Sequence, residues 1–146
     1  MLNENQVIEA VCKHLKSEGL QIEEQCSTKQ QGYDIVAIHP DSGRRLIIEA
    51  KGATSACETS ARYGKPFDRK QVLSHVARAF YKAAATLQLE GGNADVGIAL
   101  PDQDIHNEFI KQIRQALATL GITVYRVAAD GKVSVTHPNA APAPQA

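Results

Sequence analysis

Residues 32–52, GYDIVAIHPDSGRRLIIEAKG, decide the fold of this chain. Apolar residues flank a turn at residues 39–43, so the stretch predicts two neighbouring strands joined by a hairpin. Asp34 stands at the head of the first strand, and Glu49 and Lys51 stand two apart at the end of the second. Because alternate residues of a strand point to one face, Glu49 and Lys51 are expected to project together.

Two carboxylates and a lysine are costly to bury beside a sheet core without a partner. Mg²⁺ prefers oxygen ligands and often binds only one or two carboxylates, with water and substrate oxygens completing its shell. Asp34 and Glu49 could therefore meet at one Mg²⁺ ion, with Mn²⁺ as a substitute, and Lys51 could orient a water. The alternative is a cross-strand ion pair on an exposed face. Ile47 on the face of Glu49 and Ile48 on the other favour a strand covered on both sides, and hence the site.

Length and composition indicate one globular domain, since 146 residues with 43% hydrophobic content suit a single core. We predict that this domain spans residues 1–136 and that the Pro/Ala-rich tail, residues 137–146, is disordered. The three cysteines are widely spaced and do not have metal-site spacing, and the first residues lack signal-peptide features. We therefore predict a cytoplasmic protein. No apolar run approaches the length of a membrane span.

The charge is balanced overall, with 16 basic and 16 acidic residues, so the net charge predicts no nucleic-acid partner. Its distribution is uneven, because residues 61–82 hold six Lys or Arg against the single acid Asp68. Such a segment can signal an anionic partner. The alternative is a solvated helix face.

The periodicity predicts the order α-β-β-β-α-β-α-β with a β extension, an α/β fold with helices on both faces of a central mixed sheet. The predicted helices span residues 3–18, about 68–89, and 101–120. The predicted strands span residues 20–26, 33–39, 44–51, 94–100, 122–127 and 132–136. Asn3 or Asn5 is expected to cap the first helix and Asp102 the third. The first three strands are expected to form an antiparallel meander, and the nearly all-apolar strand 94–100 a buried parallel one.

The pattern of Asp34 followed by Glu49-Ala50-Lys51 resembles the PD-(D/E)xK nuclease superfamily, which has the restriction endonuclease-like fold. That pattern is an acidic residue on one strand and (D/E)-x-K on the next, and the superfamily core order α-β-β-β-α-β matches residues 3–100. The chain departs from it in having no Pro before Asp34. The resemblance implies metal-dependent phosphodiester hydrolysis, with Asp34, Glu49 and the Ala50 carbonyl as Mg²⁺ ligands and Lys51 assisting the attacking water.

Two further catalytic candidates lie on the predicted helices. Glu4 falls within the apolar stripe of the first helix, whereas Glu9 falls outside it. Several branches of the superfamily carry a first-helix Glu that reaches the metal; a frayed end in solvent is the alternative. Gln71 lies near the start of the second helix, where some members carry a Gln and where backbone N–H groups favour anions. Lys, Arg and His residues of the basic segment are predicted phosphate contacts: Arg62, Lys65, Lys70, His75, Arg78 and Lys82.

The sequence therefore predicts a metal-dependent nuclease, an endonuclease or exonuclease, with DNA preferred over RNA on the strength of the resemblance. The alternatives are a non-catalytic nucleic-acid-binding or accessory module on the same scaffold, and a structural protein with incidental ion pairs. A homodimer or a targeting partner fits the prediction, because so small a chain covers little DNA and cutting both strands needs two sites.

Overall fold

A computed structural model describes residues 1–25, 32–55 and 64–138, with the side chains of Glu24 and Gln25 left out. The predicted tail beyond residue 138 and part of the predicted 52–67 link therefore lie outside the described residues. The helices of the described part are α1 (Glu4–Ser17), α2 (Arg69–Glu90), α3 (Asp104–Gln112) and α4 (Arg114–Leu120). Its strands are β1 (Gln21–Gln25), β2 (Ile35–Ile38), β3 (Arg45–Ala50), β4 (Ala94–Pro101), β5 (Ile122–Val127) and β6 (Val133–Thr136).

The described strands form one mixed sheet in the order β1-β2-β3-β4-β5-β6. β1, β2 and β3 make an antiparallel meander, in which Ile35 pairs with Ile48. β4 lies parallel to both β3 and β5, and β6 returns antiparallel to β5. The predicted fold class is confirmed, since this six-stranded α/β arrangement agrees with a restriction endonuclease-like fold.

Helices cover both faces of the sheet, as predicted. α1 packs its buried side chains, such as Val7 and Val11, against one face, which includes Ile35 and Ile48. α2, α3 and α4 pack against the other face, on which Ile98 is fully buried. All strand residues from Leu46 to Ala50 are consequently buried, so β3 is a central strand with two covered faces.

Local capping explains where α1 and α2 begin. The Asn3 side chain accepts a hydrogen bond from the Gln6 backbone N–H at 2.9 Å, which confirms Asn3 as the cap of α1. Asp68 caps α2 through the Gln71 N–H at 2.8 Å. Gly91, in the left-handed conformation, ends α2.

The prediction of one helix over 101–120 capped by Asp102 is wrong in two respects. Pro101 belongs to β4, and α3 starts at Asp104 after Gln103, which makes no side-chain capping bond. Asp102 instead accepts a hydrogen bond from the Asn107 amide at 2.8 Å, which uses its side chain outside a cap. The helix is also interrupted at Ile113, where φ is −116° and ψ is 15°, so two helices replace one.

Over the three described stretches, no helix has both the length and the apolar character needed to cross a membrane.

Candidate active site

Asp34 lies immediately before β2 and is 7% exposed. The antiparallel pairing of Ile35 with Ile48 brings Asp34 to the end of β3 that carries Glu49. Its Oδ2 accepts a hydrogen bond from the Ala50 backbone N–H at 2.8 Å. Asp34 is thus held across the two strands by the backbone of the residue between Glu49 and Lys51.

Glu49 is also 7% exposed, and both of its carboxylate oxygens face a lysine. Oε1 lies 3.5 Å from the Lys51 ammonium, and Oε2 lies 3.1 Å from the Lys82 ammonium. Burial raises the pKa of Glu49, the charge of Asp34 raises it further, and the two lysines lower it. Burial is therefore the main reason why Glu49 takes up a proton more readily than a glutamate in water.

Lys82 reaches this group from α2, on which it was predicted to contact nucleic acid. Its ammonium donates to the Gly32 carbonyl at 3.2 Å in addition to meeting Glu49. Burial lowers its pKa, but the hydrogen bond to Glu49 and the charges of Glu49, Asp34 and Glu4 outweigh this, so the pKa is raised. Lys82 is consequently part of the carboxylate cluster, a role that the sequence analysis did not identify.

Glu4, the first residue of α1, belongs to the same electrostatic group. Burial raises its pKa from 4.5 to about 7, and the charge of Asp34 is the next cause. Glu49 also raises the pKa of Glu4, while Lys51 and Lys82 lower it. Glu4 is thus half-buried at the start of α1 and close enough to Asp34 and Glu49 to interact with their charges, and its catalytic role stays a prediction.

The start of α1 is fixed by the segment that follows Lys51. Asn3 forms an isolated parallel bridge with Thr54, and the Ala53 N–H donates to the Leu2 carbonyl at 2.8 Å. A Cβ on Gly52 would lie 2.6 Å from the carbonyl carbon of Asn3 and would also collide with the Glu4 nitrogen. Only glycine fits this approach. The sequence analysis missed Gly52, although a glycine directly after the Glu-Ala-Lys motif is a usable signal.

The donor chemistry of this group, which we call the carboxylate cluster (Glu4, Asp34, Glu49, Lys51 and Lys82), fits a hard divalent cation. Three carboxylates lie near two ammonium groups, and the pKa values of Glu4 and Glu49 are raised mainly by burial and secondly by the charge of Asp34. Among the described residues, no three His, Cys, Asp or Glu side chains are arranged to hold a metal ion. Mg²⁺ commonly needs only one or two protein carboxylates, a requirement that Asp34 and Glu49 can meet.

Gln71 is held at the start of α2, where its Oε1 accepts from the Asp68 N–H at 2.9 Å in a capping box. No side-chain contact recorded for the described residues joins it to Asp34 or Glu49. Its predicted catalytic role therefore stays a prediction, and its observed role is to start the helix that carries Lys82.

His75 is half-buried, with its ring edge-on to Phe67 at a centroid distance of 4.5 Å. Burial lowers its pKa, and the charges of Lys51 and Arg78 lower it further. Its Nδ1 is buried and has no hydrogen-bond partner among the described residues. The predicted role of His75 as a nucleic-acid contact therefore stays a prediction, on a ring that packs edge-on against Phe67.

The other predicted nucleic-acid contacts are spread over the surface. Lys65, Lys70 and Arg78 are exposed, and Arg62 lies outside the described residues. Arg69, in the same segment, is occupied by a two-pronged salt bridge to Glu108 at 2.8 Å. The basic segment therefore divides into Lys82, whose exposed side chain ends on Glu49, the half-buried His75, and exposed residues that make no contact with the carboxylates in the described part of the chain.

No protein-family model and no curated protein matches this chain. Among solved structures, the chain has a distant similarity to SfsA of Pyrococcus furiosus in complex with Ca²⁺. The two share 12% sequence identity at a TM-score of 0.37, over 89% of this chain and 59% of that one. The chain thus spans less than two thirds of SfsA, and so distant a likeness assigns no family.

Proposed function

We propose that this chain is a metal-dependent nuclease that hydrolyses phosphodiester bonds, with DNA as the expected substrate. The observation that carries the proposal is the carboxylate cluster. Glu4 from α1, Asp34 ahead of β2 and Glu49 from β3 interact with one another beside Lys51 and Lys82. Grouping carboxylates in a buried place costs stability. A site that binds a cation and a phosphate would explain why the fold keeps them together.

In this proposal Asp34 and Glu49 hold Mg²⁺ or Mn²⁺, with the Ala50 carbonyl as an additional oxygen and Glu4 at the margin. The bound ion would polarise a phosphate oxygen and lower the pKa of a water. Lys51 would orient that water or stabilise developing negative charge. Lys82 fixes the rotamer of Glu49 through the 3.1 Å contact, and Gly52 fixes the approach of Glu4.

One observation favours the alternative of a non-catalytic nucleic-acid-binding module. Both oxygens of Glu49 already face lysine ammonium groups, so the carboxylate has partners without a metal. In that module Lys51 and Lys82 would be positioned by Glu49 to contact phosphate.

A cleavage assay separates the two functions. The chain would be incubated with linear, branched and single-stranded DNA and with RNA, in Mg²⁺, in Mn²⁺ and in EDTA. We expect metal-dependent cutting that falls on the order of 10²-fold or more in Lys51→Ala and in Glu49→Gln. Glu108→Gln is the control, because Glu108 is exposed and paired with Arg69 outside the cluster.

Cutting that persists unchanged in Lys51→Ala and Glu49→Gln would refute the proposed chemistry. Binding of nucleic acid without cutting in any metal, weakened by Lys51→Ala, would establish the binding module instead. Circular dichroism of each variant shows whether a loss of activity reflects the site or the fold.

A further inference from the structure

A cavity of about 710 Å³ lies on the face of the sheet that α1 covers, beside the starts of β3 and β4. Leu46 and Asp95, which pair in register near the starts of these strands, both line it. Glu49 lies three residues further along β3, about 10 Å away, and meets Lys82 of α2 on the opposite face. The cavity is therefore separate from the carboxylate cluster. Its volume falls within the range of about 300 to 1,000 Å³ that small-molecule sites occupy.

Gly97 makes room for Tyr125, one of the side chains that line the cavity. A Cβ at residue 97 would lie 2.8 Å from Cε2 of the Tyr125 ring, so the ring crosses β4 where that strand has no side chain. Burial and, secondly, the charge of Asp95 raise the pKa of Tyr125 to about 12. The tyrosine therefore leans from β5 towards the start of β4, where Asp95 lies.

Two buried hydroxyl groups line the cavity without partners. Tyr125 is 5% exposed and Thr123 is 8% exposed. Neither side-chain hydroxyl makes a hydrogen bond with any residue that the structure describes. Buried tyrosine hydroxyls usually have a hydrogen-bond partner, as buried polar groups do in general. These two hydroxyls therefore offer a donor and an acceptor each to an occupant of the cavity.

Apolar side chains from three elements form the walls of the cavity. They are Leu15 of α1, Leu46 of β3 and Val135 of β6. An occupant with an apolar body would remove these walls from water, which is favourable in proportion to the area covered. A ligand that is polar throughout would leave them without a matching surface.

The charges around the cavity favour a cation. The lining contains the carboxylates of Asp95 and Glu18 and, among the described residues, no Lys or Arg. Arg44, outside the lining, bonds Oδ1 of Asp95 at 2.9 Å and leaves Oδ2 able to accept another hydrogen bond. Glu18 is also the C-cap of α1, and the C-terminal end of a helix carries partial negative charge. The two carboxylates and the helix end thus act in the same direction.

An organic cation fits the lining better than a metal ion does. His14, His39 and His137 also line the cavity. Within residues 1–25, 32–55 and 64–138, however, no three His, Cys, Asp or Glu side chains are arranged to hold a metal ion. An ammonium group has three donors that separate acceptors can satisfy, and imidazole nitrogens without a proton are such acceptors.

We propose that this cavity binds a small organic cation, in which an ammonium group is carried on an apolar body. The ammonium group would lie between Asp95 and the hydroxyl of Tyr125, and the apolar body would pack against the leucine and valine walls. Binding would be independent of the proposed nuclease activity, because the cavity and the carboxylate cluster share no residue. The competing occupant is the chain's own segment 139–146, which follows the lining residue Pro138 and contains no Lys or Arg.

NMR titration of the 146-residue chain with probes of similar shape and different charge tests the proposal. The probes are 2-phenylethylamine, 2-phenylethanol and phenylacetate, with hexylamine as a cation without a ring. We expect both amines to bind with a dissociation constant on the order of 1 mM and to shift the amide signals of Thr123 and Tyr125 and not that of Lys51. The alcohol and the carboxylate should bind at least about tenfold more weakly, because the carboxylates of the lining do not attract them.

Two variants test the predicted contacts of the ammonium group. Asp95→Asn should weaken binding of both amines about tenfold and leave binding of 2-phenylethanol unchanged. Asp41→Asn is the matched control, since Asp41 is exposed in the turn between β2 and β3 and does not line the cavity. Tyr125→Phe keeps the ring over Gly97 and removes only the hydroxyl, so it should weaken amine binding about threefold to tenfold. It carries the test if the amide spectrum shows that Asp95→Asn has not folded.

Three results would overturn the proposal. The first is that neither amine binds at concentrations up to about 50 mM. The second is that the amines bind no more tightly than the alcohol and the carboxylate, or bind Asp95→Asn and Tyr125→Phe as they bind the wild type. The third is that a chain ending at Pro138 binds the amines and the 146-residue chain does not, which assigns the cavity to segment 139–146.

Discussion

Glu4→Gln is expected to stabilise the folded chain at alkaline pH and to leave its stability nearly unchanged in acid. Burial and the charge of Asp34 raise the pKa of Glu4 from 4.5 to about 7. The folded chain therefore holds this proton more tightly than the unfolded chain does. Stability is lost as the pH rises from 4.5 to about 7, and the loss is complete at higher pH. Glutamine does not ionise, so the Glu4→Gln variant does not lose this stability as the pH rises.

The size of the effect follows from the two pKa values. The difference between 4.5 and about 7 corresponds to at most about 3.4 kcal/mol. Glu4 is only partly buried, so screening by water reduces this to about 1 to 2 kcal/mol. Loss of a carboxylate from the first turn of α1 removes about 0.5 kcal/mol of favourable interaction with the helix dipole. We expect Glu4→Gln to gain about 1 kcal/mol at pH 8.

Urea unfolding at about pH 4.5 and pH 8 measures this gain. EDTA must be present, because a cation bound at the cluster would itself stabilise the folded state. Glu9→Gln is the control on the same helix, since Glu9 is exposed and lies off the buried stripe. A Glu4→Gln variant that is less stable than the wild type at pH 8, or that differs from it equally at both pH values, would refute the electrostatic reasoning.

Three further substitutions test the surroundings of the cluster. Asp34→Ala leaves the buried Ala50 N–H without its acceptor, so it should be about 1 to 2 kcal/mol less stable in urea unfolding than Asp34→Asn, which keeps an acceptor. Equal stabilities of the two variants would show that the hydrogen bond from Ala50 to Asp34 does not stabilise the fold. Gly52→Ala should lower the free energy of unfolding by about 2 kcal/mol or more and change the NMR titration of Glu4, because the added methyl group meets the backbone of Asn3 and Glu4. Wild-type stability and a wild-type titration would show that the two segments can move apart at little cost. His106 is 1% exposed and burial lowers its pKa, so the stability of the folded chain should fall as the pH drops below 6.5. His106→Leu should reduce that fall in thermal melts; the same loss of stability in acid for both proteins would exclude His106 as its cause.

The elements that the sequence predicted well are those fixed by local chemistry. Asn3, one of the two predicted caps of α1, accepts from the backbone N–H three residues away, so a short window of sequence contains the whole interaction. The predicted start of the second helix near residue 68 coincides with the cap Asp68. Apolar residues on both faces of the strand, Ile47 beside Glu49 and Ile48 on the other side, predicted that the strand is covered on both faces, and Leu46 to Ala50 are all buried. Helical periodicity also predicted that Glu4 lies on the inward stripe of the first helix, and Glu4 is half-buried and interacts electrostatically with Asp34 and Glu49.

The features that the sequence did not predict depend on how distant elements pack. Lys82 meets Glu49 only because α2 lies on the face of β3 that carries this residue, and the approach of Gly52 to Glu4 joins segments about fifty residues apart. The break at Ile113 is different in kind. No glycine or proline marks it, and we have no physical account of it.

The consecutive order of the six strands has a consequence for how the carboxylate cluster assembles during folding. Asp34 and Glu49 lie on one hairpin, so they come together through a loop of few residues, whose closure is fast. Glu4 and Lys82 reach the hairpin from more distant parts of the chain and must wait until α1 and α2 dock. The hairpin alone therefore brings together Asp34, Glu49 and Lys51, and the docking of α1 and α2 completes the carboxylate cluster.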